Sequence, residues 1–199
     1  MKLSPVVRFM TNSSLRALSQ IYIEGPLLRK LATKKEYPLC LEIGCGRGIG
    51  ARIISEQFGA EKVIATDIDP EQIERAKRSL SPALKASVEF KVEDAMAIDE
   101  PDSKFDAVFS FGVIHHTENW RKTIKEVSRV LKPDGEFFFM ELLKAITSNS
   151  LFARISQYPG GGEFGLKEFE NALAAEGLEI TGLRHIAGIV ALGAARKKR

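Results

Sequence analysis

Short apolar runs alternating with amphipathic stretches leave a chain few folds to choose from. From residue 39 onward this sequence keeps that rhythm. Leu39–Ile43 reads as a short strand and gives way to a glycine loop, Gly44-Cys45-Gly46-Arg47-Gly48-Ile49-Gly50. A helix is expected over Ile49–Phe58, a strand over Lys62–Asp67, and a helix over Pro70–Leu80 with Pro70 in its first turn. Val88–Val92 and Phe105–Phe111 read as the third and fourth strands, and Trp120–Leu131 as a helix. Lys132-Pro133-Asp134-Gly135 has the composition of a turn. Glu136–Glu141 is a fifth strand, too uniformly apolar at Phe137-Phe138-Phe139-Met140 to be half exposed. Strand, helix, strand at this spacing predicts an α/β fold: a doubly wound, mostly parallel sheet with helices on both faces.

Both flanks read less regularly. Before residue 38, Leu15, Leu18, Ile21, Tyr22, Leu27, Leu28 and Leu31 suggest one or two helices broken near Gly25-Pro26. After Glu141 the period loosens, and Tyr158-Pro159-Gly160-Gly161-Gly162 suggests a loop. Leu166–Glu176 reads as a helix stopped by Gly177, and Leu178–His185 with Ile189–Arg196 as a closing hairpin.

The 199 residues suit one domain. Cys40 and Cys45 match no zinc or disulfide spacing, which points to a reducing, cytoplasmic compartment. Met1-Lys2-Leu3-Ser4-Pro5 is not followed by the apolar core of a secretory signal. The longest uncharged apolar stretch, Ile186 to Ala195, is ten residues, against the roughly 20 that a membrane span needs. Net charge is +3, yet residues 1–40 carry +5 and the tail Arg196-Lys197-Lys198-Arg199 carries +4, which leaves residues 41–195 at −6. Positive charge at the termini is not a nucleic-acid stripe, and no nucleic-acid partner is expected. The tail reads as a solvated, frayed end. The sharper alternative is weak membrane-surface association through the basic termini, at about 1 kcal/mol per cation near anionic lipid.

Open parallel sheets bind ligands beyond the carboxyl ends of their strands, so those ends carry the functional reading. At the first, the third glycine of the loop, Gly48, comes one position early for the dinucleotide pattern G-x-G-x-x-G. Glu42 beside the loop would repel a pyrophosphate and suit a ligand with positive charge, such as S-adenosylmethionine with its ammonium and sulfonium. At the second, Asp67 lies 23 residues after Gly44, near the spacing at which an acid accepts from ribose hydroxyls. Ile68 could pack on an adenine face, and Asp69 is the better-placed helix cap. At the third, Asp94 could accept from an adenine amino group while the Ala95 N–H donates to the ring; the alternative is a solvated loop acid. At the fourth, His115 and His116 follow Ser110-Phe111-Gly112. With no third ligand at metal spacing, the readings are a general base or a histidine that caps or packs the next helix.

These motifs, in order over about Leu39 to Glu141, resemble the class I S-adenosylmethionine-dependent methyltransferases. Leu41–Gly48 resembles their first motif and Asp67 the ribose acid. Glu93-Asp94-Ala95 resembles the adenine turn, and Phe105–Ser110 the fourth strand. Arg129-Val130-Leu131-Lys132-Pro133-Asp134-Gly135 is similar to the turn before the fifth. The resemblance implies a Rossmann-like seven-stranded sheet with an antiparallel last strand. It implies S-adenosylmethionine as cofactor, with Glu42, Gly44, Cys45, Gly46, Gly48, Asp67, Ile68, Asp94, Ala95, Ser110 and Phe111 as binding residues. His115 and His116 are the candidate catalytic residues.

Ser110-Phe111-Gly112 and the Lys-Pro-x-Gly turn are similar to quinone-biosynthesis C-methyltransferases, although His115-His116 stands where those enzymes differ. A small-molecule acceptor at oxygen or carbon, lipophilic or quinone-like, is therefore expected. The chain lacks an Asn-Pro-Pro-Tyr-like motif, which argues against DNA bases and protein amides as acceptors. The organisation expected is a helical lid (1–37), a cofactor-binding core (38–141), a lid or substrate segment (142–165) and a closing helix and hairpin (166–199). Two alternatives stay open: a non-catalytic cofactor- or partner-binding module, and a nicotinamide-dependent oxidoreductase.

Overall fold

The computed structural model describes residues 13–147, 163–186 and 188–199. Seven strands form one sheet: β1 (Leu39–Ile43), β2 (Lys62–Asp67), β3 (Val88–Val92), β4 (Phe105–Phe111), β5 (Leu131–Leu142), β6 (Leu178–Ile186) and β7 (Val190–Lys197). Their order is β3-β2-β1-β4-β5-β7-β6. The first five are parallel, and β7 runs antiparallel between β5 and β6. The strand order reverses between β1 and β4, where ligands bind in doubly wound sheets.

Helix α1 (Ser14–Ser19) leads through a π-helical turn (Gln20–Glu24) into α2 (Gly25–Leu31). The break expected near Gly25-Pro26 is not there. Gln20, Glu24 and Gly25 all keep right-handed helical angles, and the Gly25 N–H donates to the Gln20 carbonyl. Widening the helix just before Pro26 accommodates a residue that has no N–H to give. Between the strands lie α3 (Ile49–Gln57), α4 (Pro70–Ser79), the short α5 (Pro82–Lys85) and α6 (Trp120–Val130). Asp69 caps α4 by accepting from the Glu71 N–H, and Asn119 caps α6 by accepting from the Lys122 N–H. Of the segment 142–165, read as a loop, Lys144–Thr147 forms a helical turn, α7. Its glycine-rich stretch lies outside the described residues, as does the start of the N-terminal lid. Helix α8 (Leu166–Ala175) precedes the closing pair of strands.

The Lys132–Gly135 turn is absorbed into β5. Leu131 faces Phe105 and Glu136 faces Ala107, so the four residues between them bulge from the ladder, and Asp134 takes a positive φ of 60°.

The sheet buries aromatic residues on both faces. Phe58, Phe109 and Phe138 meet on the side of α3, with ring centroids 4.8 Å apart for Phe58–Phe109 and 4.9 Å for Phe109–Phe138. On the other side Phe139, Phe164 and Phe169 pack beside Trp120 of α6. At the amino edge of β5, buried Glu136 accepts from the Tyr37 hydroxyl and the Thr33 N–H, tying the segment after α2 to the sheet. Burial and this carboxylate push the Tyr37 phenol up. Phe109 sits at the centre of its cluster, so Phe109→Ala leaves a cavity that neighbouring rings cannot refill. The expected loss is about 3–5 kcal/mol in urea unfolding, with the slope unchanged.

Candidate active site

The carboxyl ends of β1, β2 and β3 are laced together by backbone donors. The Cys45 N–H donates to the Thr66 carbonyl at 2.7 Å, and the Gly46 N–H to Asp67 Oδ2 at 2.9 Å. Asp67 Oδ1 accepts from the Asp69 N–H at 2.9 Å, and the Asp67 carbonyl accepts from Glu93 at 3.1 Å. Gly46 has φ +52°, and a side chain there would meet nothing within 4 Å, so the loop faces open space at its turn. Each Asp67 oxygen keeps acceptor capacity beyond its one backbone donor. Beside it Ile68 is 37% exposed. Asp94 accepts from the Met96 N–H at 2.8 Å, which closes a turn around Ala95.

Glu42 lies beneath the first turn of α3. A Cβ on Gly50 would stand 1.8 Å from its Oε1, so only glycine admits it there. The side chain is 2% exposed, and Oε2 has no hydrogen-bond partner among the described residues. Burial, then the nearby Asp67 carboxylate, pushes its pKa up to about 8. Burial also raises the Cys45 thiol, reinforced by Glu42, so Cys45 is no nucleophile.

The fourth strand end is organised by a residue that the sequence reading took only as the end of the fifth strand. Glu141, fully buried near the end of β5, accepts from Ser110 Oγ and from the N–H groups of Val113 (3.3 Å), Ile114 (3.2 Å) and His115 (3.3 Å). Its Oε2 also meets His115 Nδ1 at 2.7 Å. His115 is 2% exposed and sits with His116 in a 3₁₀ turn, Ile114–His116, their rings 4.1 Å apart. Burial, then His115, lowers His116 well below the usual imidazole range, so it stays neutral at physiological pH. The signal for Glu141 was an acid closing the all-apolar run Phe137–Met140 on a buried strand.

The structure brings Glu42, the glycine loop, Asp67 and the His115 turn to one edge of the sheet. A Cβ on Gly44 would lie 2.4 Å from Val113, so the loop and the turn touch. The Ser110 and Phe111 side chains point to opposite faces. Ser110 goes to Glu141, and Phe111 packs with Phe109 on the α3 side. The basic tail lies at the other end of the sheet and is not simply frayed. Lys197 Nζ donates to the carbonyls of Ser128 and Leu131, and Arg199 pairs with Asp134 at 2.7 Å.

Residues 41–139 match the Methyltransferase domain family. The 2-methyl-6-phytyl-1,4-hydroquinone methyltransferase of Synechocystis is 38% identical over 95 residues, covering 48% of this chain and 29% of that one. The demethylmenaquinone methyltransferase of Lactococcus lactis is 33% identical over 102 residues, covering 51% and 40%. The chain spans only part of the curated relatives it matches. The methyltransferase in a complex with the Trm112 methyltransferase activator of Haloferax volcanii has the same fold, with TM-score 0.81 over all of both chains at 14% identity. The chain carries a class I S-adenosylmethionine-dependent methyltransferase domain, and S-adenosylmethionine is the cofactor of that class. Among the described residues no helix is long and apolar enough to cross a membrane.

The residues present fit that cofactor. Glu42 offers a buried carboxyl oxygen without a donor, Asp67 has acceptor capacity to spare, and the turn at Gly46 is open. A cationic amino group near Glu42 favours the carboxylate and pulls its pKa below the value of about 8 it has in the free chain. Binding between about pH 6 and 7 should therefore release up to one proton, and affinity should rise with pH until Glu42 is already ionised. Calorimetric titrations in buffers of different ionisation heat measure the release, and Glu42→Gln should abolish it.

Proposed function

We propose that this chain moves the sulfonium methyl of S-adenosylmethionine to an oxygen or carbon of a small, lipophilic, quinone-like acceptor. The observation that carries the reading is His115, bonded to Glu141 in the turn after β4 whose Val113 packs against the glycine loop. When bound, the cofactor supplies an electrophilic methyl. Glu42, Gly44, Cys45, Gly46 and Gly48 would hold its amino-acid end, Asp67 its ribose, and Ile68, Asp94 and Ala95 its adenine. Glu141 Oε2 meets His115 Nδ1 at 2.7 Å and so orients the imidazole that would take the proton an acceptor oxygen or carbon must lose. His116, kept neutral by burial, adds no competing charge beside it. Helices α1 and α2 would close over the acceptor and exclude water. The hydroquinone and menaquinone names of the relatives support the acceptor class. Glu42 Oε2, buried without a donor among the described residues, suits an amino group rather than a pyrophosphate, which carries only acceptors, and so speaks against a nicotinamide cofactor.

Calorimetry with S-adenosylmethionine, its demethylated product and NAD tests the cofactor. Micromolar binding of the first two, none of NAD, and loss in Asp67→Ala are expected; binding of NAD alone would overturn the reading. Methyl transfer to a panel of hydroquinones tests the chemistry. His115→Asn and Glu141→Gln should each lower turnover by about 10²-fold or more while cofactor affinity holds. Cofactor binding with no transfer to any acceptor would instead favour a non-catalytic module.

A further inference from the structure

Strand β6 is an outer edge of the sheet, paired on one side only, to β7. An edge of this kind is a template for a further strand unless the sequence blunts it. The opposite edge, β3, is five residues long, and its charges are spent within the fold: Glu89 pairs with Lys62 at 2.7 Å, and Lys91 pairs with Glu100. Strand β6 is nine residues long and contains neither proline nor lysine. Its Glu179 and Arg184 are exposed, and neither takes part in an ion pair among the described residues.

Five residues apart, Glu179 and Arg184 would point to opposite faces of a regular strand. A bulge brings them to the same one. Glu179 lies opposite Arg196 and Arg184 opposite Leu192, with the register shifting between Ile180 and Gly182. Arg196 and Leu192 are four apart on β7 and share a face, so their partners share it too. The Thr181 hydroxyl donates to the Ala194 carbonyl at 3.2 Å and pins the bulge. By the same pairing Ile180 lies opposite Ala195 and Leu183 opposite Gly193, on the other face, where both pack on the core.

The strand is therefore complementary to its own reverse. Laid antiparallel to a second β6 about a two-fold axis between Thr181 and Gly182, each Glu179 meets the second copy's Arg184 on one face. On the other face each Ile180 meets the second copy's Leu183. The symmetry makes every such contact twice. A slip of one residue destroys both matches, setting Ile180 against Arg184 or against Gly182.

We propose that β6 is the interface of a homodimer, in which two copies of this chain join edge to edge into one continuous sheet. Charge complementarity selects the second copy as the occupant, and the bulge at Thr181 is the device that aligns the charges. The pairing leaves the carboxyl ends of β1 to β4 uncovered, so both sites stay open, at opposite edges of the joint sheet.

Sedimentation equilibrium of the full chain tests this, with circular dichroism and binding of the demethylated cofactor product as checks on folding. The unmodified chain should be a dimer at about 100 μM. Arg184→Glu and Glu179→Arg should each raise the dimer dissociation constant about tenfold, because each sets two like-charged pairs face to face. Glu179→Arg combined with Arg184→Glu rebuilds both pairs with the signs exchanged and should bring the constant back to within about threefold of the unmodified value. A monomer throughout, a dimer indifferent to either single change, or a double variant as weak as the single ones would each overturn the proposal. None of these readouts depends on methyl transfer.

Discussion

A carboxylate cut off from water must be solvated by the protein around it, and Glu141 is where this fold does so most completely. Taking such a group out of water costs several kcal/mol, while a hydrogen bond to a charged group returns about 1.5–3 kcal/mol. Three backbone N–H groups, one hydroxyl and one imidazole converge on Glu141. They come from β4 and the turn after it, so the acid at the end of β5 sets the path of the chain leaving its neighbour. Glu42 occupies a comparable place at the end of β1, with one backbone donor, Ala51, acting on it and Oε2 without a partner. Burial, then Asp67, raises its pKa to about 8. Two buried acids on one sheet edge thus differ in how many backbone donors reach them.

The strand ends and the N-terminal helices are fastened differently. At the strand ends main-chain donors do the tying: Cys45 to the Thr66 carbonyl, Gly46 to the Asp67 carboxylate, Glu93 to the Asp67 carbonyl. Helices α1 and α2 are tied through side chains, Arg16 to the Phe111 carbonyl and Gln57 to the Ile21 carbonyl. After α2 a main-chain bond, Tyr37 N–H to the Phe58 carbonyl, joins the Tyr37–Glu136 contact. Main-chain ties survive most substitutions, whereas side-chain ties do not.

The strands and main helices were legible because their signal is local. Buried parallel strands are apolar throughout, and helix starts carry caps such as Asp69 and Asn119. Even the last hairpin fell within a residue or two of its place. Features that depend on register were not legible. Glu141 meets Ser110 across 31 residues of chain, and Arg16 meets Phe111 across 95; no periodicity encodes either pairing. Lys132–Gly135 was read as a turn, whereas the structure carries it as a bulge inside β5, which depends on the Phe105–Leu131 pairing. The π turn before Pro26 was read as a break, since proline marks a disturbed helix without saying how the disturbance resolves.

The same asymmetry explains why the cofactor class was readable in the sequence and the proposed acceptor side was not. Loop glycines and strand-end acids are written in nearly consecutive residues at each strand end. The proposed acceptor side, a histidine after β4 bonded to a glutamate of β5, is written in two distant places that meet only when the sheet forms. Glu141 fixes His115 across 26 residues of chain, so the orientation of that imidazole is a property of the assembled sheet and of no local motif.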